Sequence, residues 1–374
     1  MADELVDGVK GAALPLIQDD LGLSYAQIGL LTSVPLLVGG ALELPLGLLA
    51  GQGRRRRLAV LIGGILFILS LAAAAGARSF AVLLCAFIAF YPASGAFVSL
   101  TQATLMDAWP DRQAQVMARW DLAGSAGAVA GPLLLAAVLG AGGGWRDAYL
   151  VLAGLAALTW AGTLLRDPPG PPAPADQESP PGHWARELAS ALRNASALRW
   201  LVLMQVGDLL VDVLTGFLAL YLVRVAHLRP EVAALAIALR LGAGLAGDAA
   251  LIWVLDRVAD LTVLRVSAVA AALLYPAFLL APGVPAKLAI LAALSAATAT
   301  WYPLLQARLY GSLPGRSSIA VTLSSAAGMA GGLGPLAVGL AAERFGLSRA
   351  LAVLTVVPVV VLAGSLVRRR RRRE

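Results

Sequence analysis

Gly207-Asp208-Leu209-Leu210-Val211-Asp212 is the stretch on which the reading of this chain turns. Two carboxylates stand four residues apart inside an apolar run from about Leu198 to Val223. Four residues is close to one helical turn, so Asp208 and Asp212 project from one face. A run of that length can cross a bilayer. Each charge at such depth costs about 2.5–3.5 kcal/mol on insertion scales, so the acids are expected to face a cavity or a partner rather than lipid. A related phrase opens the chain, Ala2-Asp3-Glu4-Leu5-Val6-Asp7, and Asp7 and Asp212 lie 205 positions apart.

Composition agrees with a membrane solvent. The chain has 374 residues, of which 59% are hydrophobic and 14% charged, with a mean hydropathy of +0.80. A soluble domain carries about 25% charged residues. Apolar runs of spanning length recur along the whole sequence, which implies a polytopic all-α integral membrane protein. The single Cys85 excludes an internal disulfide and a cysteine metal cluster, and two histidines, His183 and His227, leave little room for zinc. No metal and no cofactor are expected, and no Gly-x-x-x-x-Gly-Lys loop for ATP occurs. The net charge of +7 does not point to nucleic acid, because the arginines sit beside apolar spans, at Arg54 to Arg57 and at Arg368 to Arg373. That placement is the positive-inside signal.

Spans are predicted near 25–50, 58–77, 80–106, 116–140 and 147–165, and again near 198–223, 231–254, 260–281, 286–310, 317–342 and 347–367. A first, shorter span ends near Ile17, before Gln18-Asp19-Asp20. Subtracting the 205-residue offset from the start of the seventh span puts the matching start before Met1, so the first half of helix one is expected to be missing from this sequence. The alternative is a short, tilted first helix. Between the halves, Arg166-Asp167-Pro168-Pro169-Gly170-Pro171-Pro172 opens a Pro-rich linker. After it, Trp184, Leu188 and Leu192 share one face of a short interfacial helix. The expected organisation is a six-helix bundle over 1–165, a cytoplasmic linker over 166–197, a second six-helix bundle over 198–367 and a basic tail over 368–374. With both termini cytoplasmic, even-numbered crossings return inside, and both arginine clusters and the linker fall on that side. Twelve crossings, counting the clipped first one, is the consistent number.

The repeat runs the length of the chain. At an offset of 205, Leu5-Val6-Asp7 matches Leu210-Val211-Asp212, Gly11 matches Gly216, Leu23 matches Leu228, and Glu43 falls on Asp248. At 204, Gln102-Ala103-x-Leu105 matches Gln306-Ala307-x-Leu309, and Pro110-x-Arg112 matches Pro314-x-Arg316. At 203, Gly131-Pro132-Leu133 matches Gly334-Pro335-Leu336, and Arg146 matches Arg349. Two parallel halves related by an axis along the membrane normal are a known transporter plan.

With these features in view, the chain resembles the major facilitator superfamily over essentially its whole length. That family carries a Gly-x-x-x-Asp-Arg-x-Gly-Arg-Arg loop between helices two and three. Here Gly47, Arg55 and Arg56 match, while Gly51 stands at the acid position, Gln52 at the following basic position and Arg54 at the later glycine position. The resemblance implies a cytoplasmic latch at this loop, here without its acid. The second-half counterpart keeps the pair as Asp256-Arg257. Helix five carries Gly127-x-x-x-Gly131-Pro132, similar to the core of a motif of proton-driven exporters, although Leu135 and Ala136 replace its trailing glycines. Plain helix packing is the other reading of that pattern. In helix four, Tyr91 stands four residues before Gly95, where an exporter arginine would be expected.

The candidate proton or substrate groups are Asp7, Asp208 and Asp212, then Asp248 and Glu43 nearer the cytoplasmic ends of their helices, with Arg240 as a counter-charge. A carboxylate in a low-dielectric cavity can alternate between charged and neutral forms. Such a change can bias one packing of the halves over another. The structural reading is that Arg240 pairs statically with Asp212 or Asp208. Candidate cavity aromatics are Tyr91, Phe217, Tyr221, Trp301 and Tyr302, and ordinary packing is their alternative. Tyr91-Pro92 and Tyr302-Pro303 are candidates for paired bends. Asp107, Arg112, Arg119 and Asp121 are a candidate cytoplasmic gate.

The expected function is secondary active transport in a bacterial inner membrane, by a monomer that moves a small molecule and protons and binds no nucleic acid. Lys10 and Lys287 are the only lysines, a bias that fits a GC-rich genome. Proton-coupled efflux of a small amphiphilic or cationic compound is the leading expectation, and the chain is not expected to be an enzyme. Uptake of a sugar or organic solute would favour many Asn and Gln in the spans, and here they are scarce, as at Gln102, Gln205 and Gln306. A magnesium-dependent membrane enzyme using Asp-x-x-x-Asp, and a non-transporting receptor or assembly protein on the same scaffold, are the alternatives from other classes.

Overall fold

The structure is a computed structural model in which residues 2–50, 54–108, 113–165, 190–313 and 317–367 are described. The regular structure of these residues is helical. The first half contains α1 (Ala2–Leu21), α2 (Tyr25–Ala50), α3 (Arg54–Ala75), α4 (Phe80–Ser94), a π-helical turn Gly95–Ser99, α5 (Leu100–Ala108), α6 (Gln113–Gly140) and α7 (Trp145–Leu164). The second half contains α8 (Ala195–Arg224), α9 (Pro230–Leu255), α10 (Asp260–Leu280), α11 (Val284–Ala299), α12 (Trp301–Gly311), α13 (Ser317–Gly331), α14 (Gly334–Phe345), α15 (Leu347–Ala352), a short 3₁₀ turn Val353–Thr355 and α16 (Val356–Leu366). The expected linker up to residue 189 and the tail from 368 lie outside the described residues.

Ten helical stretches among the described residues are long and apolar enough to cross a membrane. Two of the twelve expected crossings do not meet that measure, for separate reasons. α1 carries Asp3, Glu4, Asp7, Lys10, Asp19 and Asp20 in its 20 residues. The run expected over 317–342 is interrupted near Gly331–Gly334 and becomes two helices of 15 and 12 residues. α1 also continues past the Ile17 end expected from its polarity. It stops only after Leu21, because Gly22 takes φ +62°. The N–H of Leu23 then donates to the carbonyl of Gln18 at 3.0 Å, the bond of a Schellman cap.

The duplication is visible in the backbone itself. The described residues with left-handed φ are Gly22 (+62°), His227 (+55°), Gly142 (+83°) and Gly346 (+85°). They pair at offsets of 205 and 204, the first in register with the sequence repeat and the second one residue from its local offset of 203. Each pair ends an equivalent helix, α1 with α8 and α6 with α14.

Both Tyr-Pro dipeptides sit at irregularities. Pro92 cannot donate to a carbonyl one turn back, and the π-helical turn follows it at Gly95–Ser99. Pro303 follows the break between α11 and α12 at Thr300, where a continuous helix would press its ring on the carbonyl of residue 299.

The described residues form two compact units. The first takes residues 2–165 together with Thr215–Ala238 and Pro335–Arg344. Its tightest packing is α1 on α6. A Cβ added at Gly131 would lie 2.4 Å from the carbonyl oxygen of Leu5, and one at Gly8 would lie 2.7 Å from that of Ala128. Only glycine allows this approach of two backbones. An aromatic cluster fills the space between α3 and α4, with Phe67 5.0 Å from Phe90 and 5.8 Å from Phe97.

The second unit takes 190–214, Leu239–Gly334 and the residues from Phe345. α10 is its spine. Tyr275 Oη donates to the carbonyl of Leu351 at 2.9 Å, and Trp301 Nε1 donates to Ser267 Oγ at 3.0 Å. Lys287 Nζ donates to the carbonyls of Phe278 and Leu279 at 2.7 and 3.2 Å, satisfying acceptors at the end of α10. Asn194 Oδ1 accepts from the N–H of Ser196 at 3.0 Å and caps α8. Apolar side chains turned outward, such as Leu69, Leu158, Trp253 and Leu273, suit a lipid surround.

The α1–α6 approach makes a stability prediction. Gly131→Ala forces two backbones apart and should destabilise by about 1–3 kcal/mol, read as a lower Tm in detergent. Gly124→Ala, whose Cβ would meet only Glu4 Cγ at 3.6 Å, should leave Tm nearly unchanged.

Candidate functional site

The Asp208–Asp212 pair does face a cavity. It lies within the second unit, has a volume of about 400 Å³, and is lined by Gln205, Gly207, Asp208, Val211, Asp212, Thr298, Ala299, Trp301, Tyr302 and Gly328. One wall is a single face of α8, where positions 205, 208 and 212 succeed one another at helical spacing. Part of the remaining wall is the break between α11 and α12, at Thr298, Ala299, Trp301 and Tyr302. Irregular backbone at membrane depth is tolerated where it lines such a cavity.

The two acids repel each other, and Asp212 interacts electrostatically with Arg240. The Arg240 guanidinium is buried and donates to the Val211 carbonyl at 3.3 Å, on the residue beside Asp212. Trp301 is buried, and its indole is held by Ser267, while Gly207 leaves room for the ring at 3.3 Å from where a Cβ would stand. Tyr302 is exposed and its hydroxyl accepts from Gln306 Nε2 at 3.2 Å. Paired carboxylates beside an aromatic wall are chemistry for an organic cation.

The remaining candidates are dispersed. Phe217 and Tyr221 are buried in the packing of the first unit and do not line this cavity. Asp248 is exposed on α9 and lies outside the lining. The side chains of Glu43, Asp107 and Asp121, and all of Arg112, lie outside the described residues. Gly47 falls inside α2, Arg55 is exposed and Arg56 partly so, in the first turn of α3. Asp256 and Arg257 occupy the turn after α9, where Arg257 Nη1 donates to the Trp253 carbonyl at 2.9 Å. Gly127 is buried in α6, where Gly131 and Pro132 meet α1. Gly334 packs on Leu209 in the second unit, and Pro335 faces Gly29 in the first.

Asp7 has a partner that sequence reasoning overlooked. Lys10 is 9% exposed. Its Nζ lies 3.1 Å from Asp7 Oδ1 and donates to Tyr91 Oη at 2.7 Å. The Tyr91 hydroxyl donates in turn toward Asp7 Oδ1 at 3.4 Å. The ammonium also stands over the rings of Tyr91 and Phe87, at 4.9 and 5.8 Å. The cation opposite Asp7 thus comes from α1 itself, and Tyr91 of α4 bridges the pair. Its signal was the spacing, since residues 7 and 10 share a face. Near Phe87, the buried Tyr149 hydroxyl has no hydrogen-bond partner among the described residues.

A family model described as the Major Facilitator Superfamily matches residues 5–316. Among solved structures, the chain is similar to a bacterial homolog of the human lysosomal transporter Spinster, in inward-facing unoccupied and occupied conformations. Each comparison gives a TM-score of 0.80 at 16% identity over 97% of this chain and 93% of that one. It is also similar to the nucleoside transporter NupG, with a TM-score of 0.77 at 13% identity over 97% of this chain and 96% of that one.

The pair makes its own prediction. Lys10 is the buried member and the Asp7 side chain is 40% exposed, so Asp7→Ala, which strands the buried ammonium, should lower Tm more than Lys10→Ala. Replacing both, as Asp7→Leu with Lys10→Met, should recover most of that loss. Thermal unfolding of the two single variants and the double variant in one detergent measures the coupling.

Proposed function

The chain belongs to the major facilitator superfamily, and from that premise we propose that this membrane transporter exports a small amphiphilic or cationic organic compound in exchange for protons. The observation that carries this reading is the cavity with Asp208 and Asp212 on one helical face and Trp301 and Tyr302 beside them. Two carboxylates share this face, and the Arg240 guanidinium interacts with Asp212, so the reading is that the face accepts further positive charge. A cation supplies it, and so does a proton. The two compete for the same oxygens, so arrival of one releases the other. That competition is the essence of antiport, because each face of the membrane then exchanges cargo for protons.

The lining favours this cargo over a sugar or nucleoside. Its neutral hydrogen-bonding side chains are Gln205, Thr298 and Tyr302, and Thr298 already donates to the Leu294 carbonyl at 2.9 Å. A polyhydroxylated solute needs a denser set of donors and acceptors, since each group left unmatched on burial is costly. In the first half, the Asp7–Lys10–Tyr91 cluster is the second proposed proton-responsive element.

The rest of the reading follows from charge placement. The arginine clusters support an orientation with both termini, the loop at Arg54–Arg57 and the 166–197 linker on the cytoplasmic side, in the proposed bacterial inner membrane. The carrier works as a monomer, with residues 1–165 and 198–367 as its two transport bundles.

Binding tests the proposal directly. Tetraphenylphosphonium, an amphiphilic cation, is titrated into purified protein in weak buffer while heat and released protons are recorded. Affinity should rise with pH, binding should release protons, and Asp212→Asn should weaken it at least about tenfold, a loss of ~1.4 kcal/mol. Binding without proton release, and equal in Asp208→Asn and Asp212→Asn, would overturn the assignment.

A further inference from the structure

At one end of the second unit, arginines from two crossings converge on the last turn of a third. Arg265 Nη2, from α10, donates to the Ser365 carbonyl at 2.8 Å. Arg199 Nη1, from α8, donates to the Val367 carbonyl at 2.6 Å. Both carbonyls belong to the C-terminal end of α16, where backbone acceptors lack intrahelical partners and cations are favoured. The Arg199 guanidinium also stacks on Trp200, 4.2 Å from the ring centroid, and a stacked guanidinium donates along its edge. At the same end of the unit, Arg308 of α12 is neutralised by Asp260 of α10. Arg265 is treated differently. It is half-buried, and no carboxylate pairs with it among the described residues. One backbone carbonyl is a small answer to a full charge with five N–H donors.

We propose that Arg199 and Arg265 together bind the phosphate of an anionic phospholipid, which fastens the end of α16 to α8 and α10. Position and surroundings select a lipid over a soluble anion. The starts of α8 and α10 and the ends of α12 and α16 fall on one side, because crossings alternate in direction. Arg199 and Arg265 each stand within two turns of a helix start, the level of lipid headgroups. Trp200 has the side chain enriched at that level. Outward-turned apolar side chains flank both arginines, Leu198 and Val202 on α8, Val266 on α10 and Leu366 on α16. They offer acyl chains a surface directly beside the cationic pair. The sequence after Val367 runs on as Arg368 to Arg373, and basic runs of this length beside a crossing attract anionic lipid. A zwitterionic headgroup fits less well, since it brings its own cation to a guanidinium already short of negative charge. The inference goes beyond transport and uses only the membrane reading of the chain.

Native mass spectrometry of the full chain in detergent, titrated with dioctanoyl phosphatidylglycerol, counts bound lipids and gives the affinity of the tightest site. Dioctanoyl phosphatidylcholine and inorganic phosphate are run beside it. Phosphatidylglycerol should bind at least about fivefold more tightly than either comparison, the worth of one basic contact at a membrane surface. Arg265→Gln and Arg199→Gln should each weaken its tightest site by about five- to tenfold on the same scale. Arg257→Gln removes an exposed arginine at the end of α9 and should change that affinity less than about twofold, as a distant charge does. Thermal unfolding without lipid checks that each variant folds. If Arg265→Gln does not, Arg265→Lys keeps the charge, loses the planar fork, and should still weaken the site. Phosphatidylcholine bound as tightly as phosphatidylglycerol would overturn the proposal. So would equal losses in Arg257→Gln and Arg265→Gln, which mean diffuse attraction, or phosphate bound as tightly as the lipid, which means a soluble anion. A folded native protein with no tight phosphatidylglycerol site would overturn it too. No cargo enters the measurement, so its outcome is separate from that of the transport reading.

Discussion

A charge in a hydrocarbon slab must find a partner, a cavity or water, and the internal structure of this protein is arranged around that requirement. Lys10 meets it with Asp7, the Tyr91 hydroxyl and two aromatic faces. Lys287 meets it with the open carbonyls at the end of α10. Arg240 meets it with a backbone carbonyl and the field of Asp212. Asp208 stands near a second carboxylate, Asp212, and both line a cavity. Where a charge meets a partner it holds helices together, and the proposed function assigns the cavity beside Asp208 to cargo.

Glycine supplies the complementary constraint. Helices in a bilayer gain little from hydrophobic association and hold together by close packing. α1 and α6 touch through Gly8 and Gly131, and α2 and α14 through Gly29 and Gly339. The first pairing lies within one sequence half and the second joins the two halves. Similar geometry therefore serves a contact within one sequence half and a contact between the two.

Much of the architecture was legible in the residues. Apolar runs predicted the helix limits within a few positions, because a membrane span is defined by length and hydropathy more than by tertiary context. The repeat proved deeper than the letters suggested: Gly22 and His227 differ in identity yet share a left-handed φ. The acid pair on α8 was legible for the same reason, since spacing alone puts both carboxylates on one face. Less legible were the features that depend on which helices meet. Lys10 looked like an isolated cation until α4 brought Tyr91 beside it. Phe217 and Tyr221 follow the acid pair on α8 and suggested a common cavity, but they belong to the packed end of that helix. The division of the 317–342 run into α13 and α14 was marked by Gly331, Gly332 and Gly334, which its high hydropathy concealed.

The central claim is that carboxylates on α8 exchange a proton for an organic cation. Proton movement in proteoliposomes measures that exchange most directly, with a lumenal pH dye as readout, an imposed pH gradient and a panel of amphiphilic cations. The account predicts compound-dependent proton flux in the native protein and its loss in Asp212→Asn. Cation transport that proceeds without any proton movement, or flux indifferent to neutralising both Asp208 and Asp212, would contradict it.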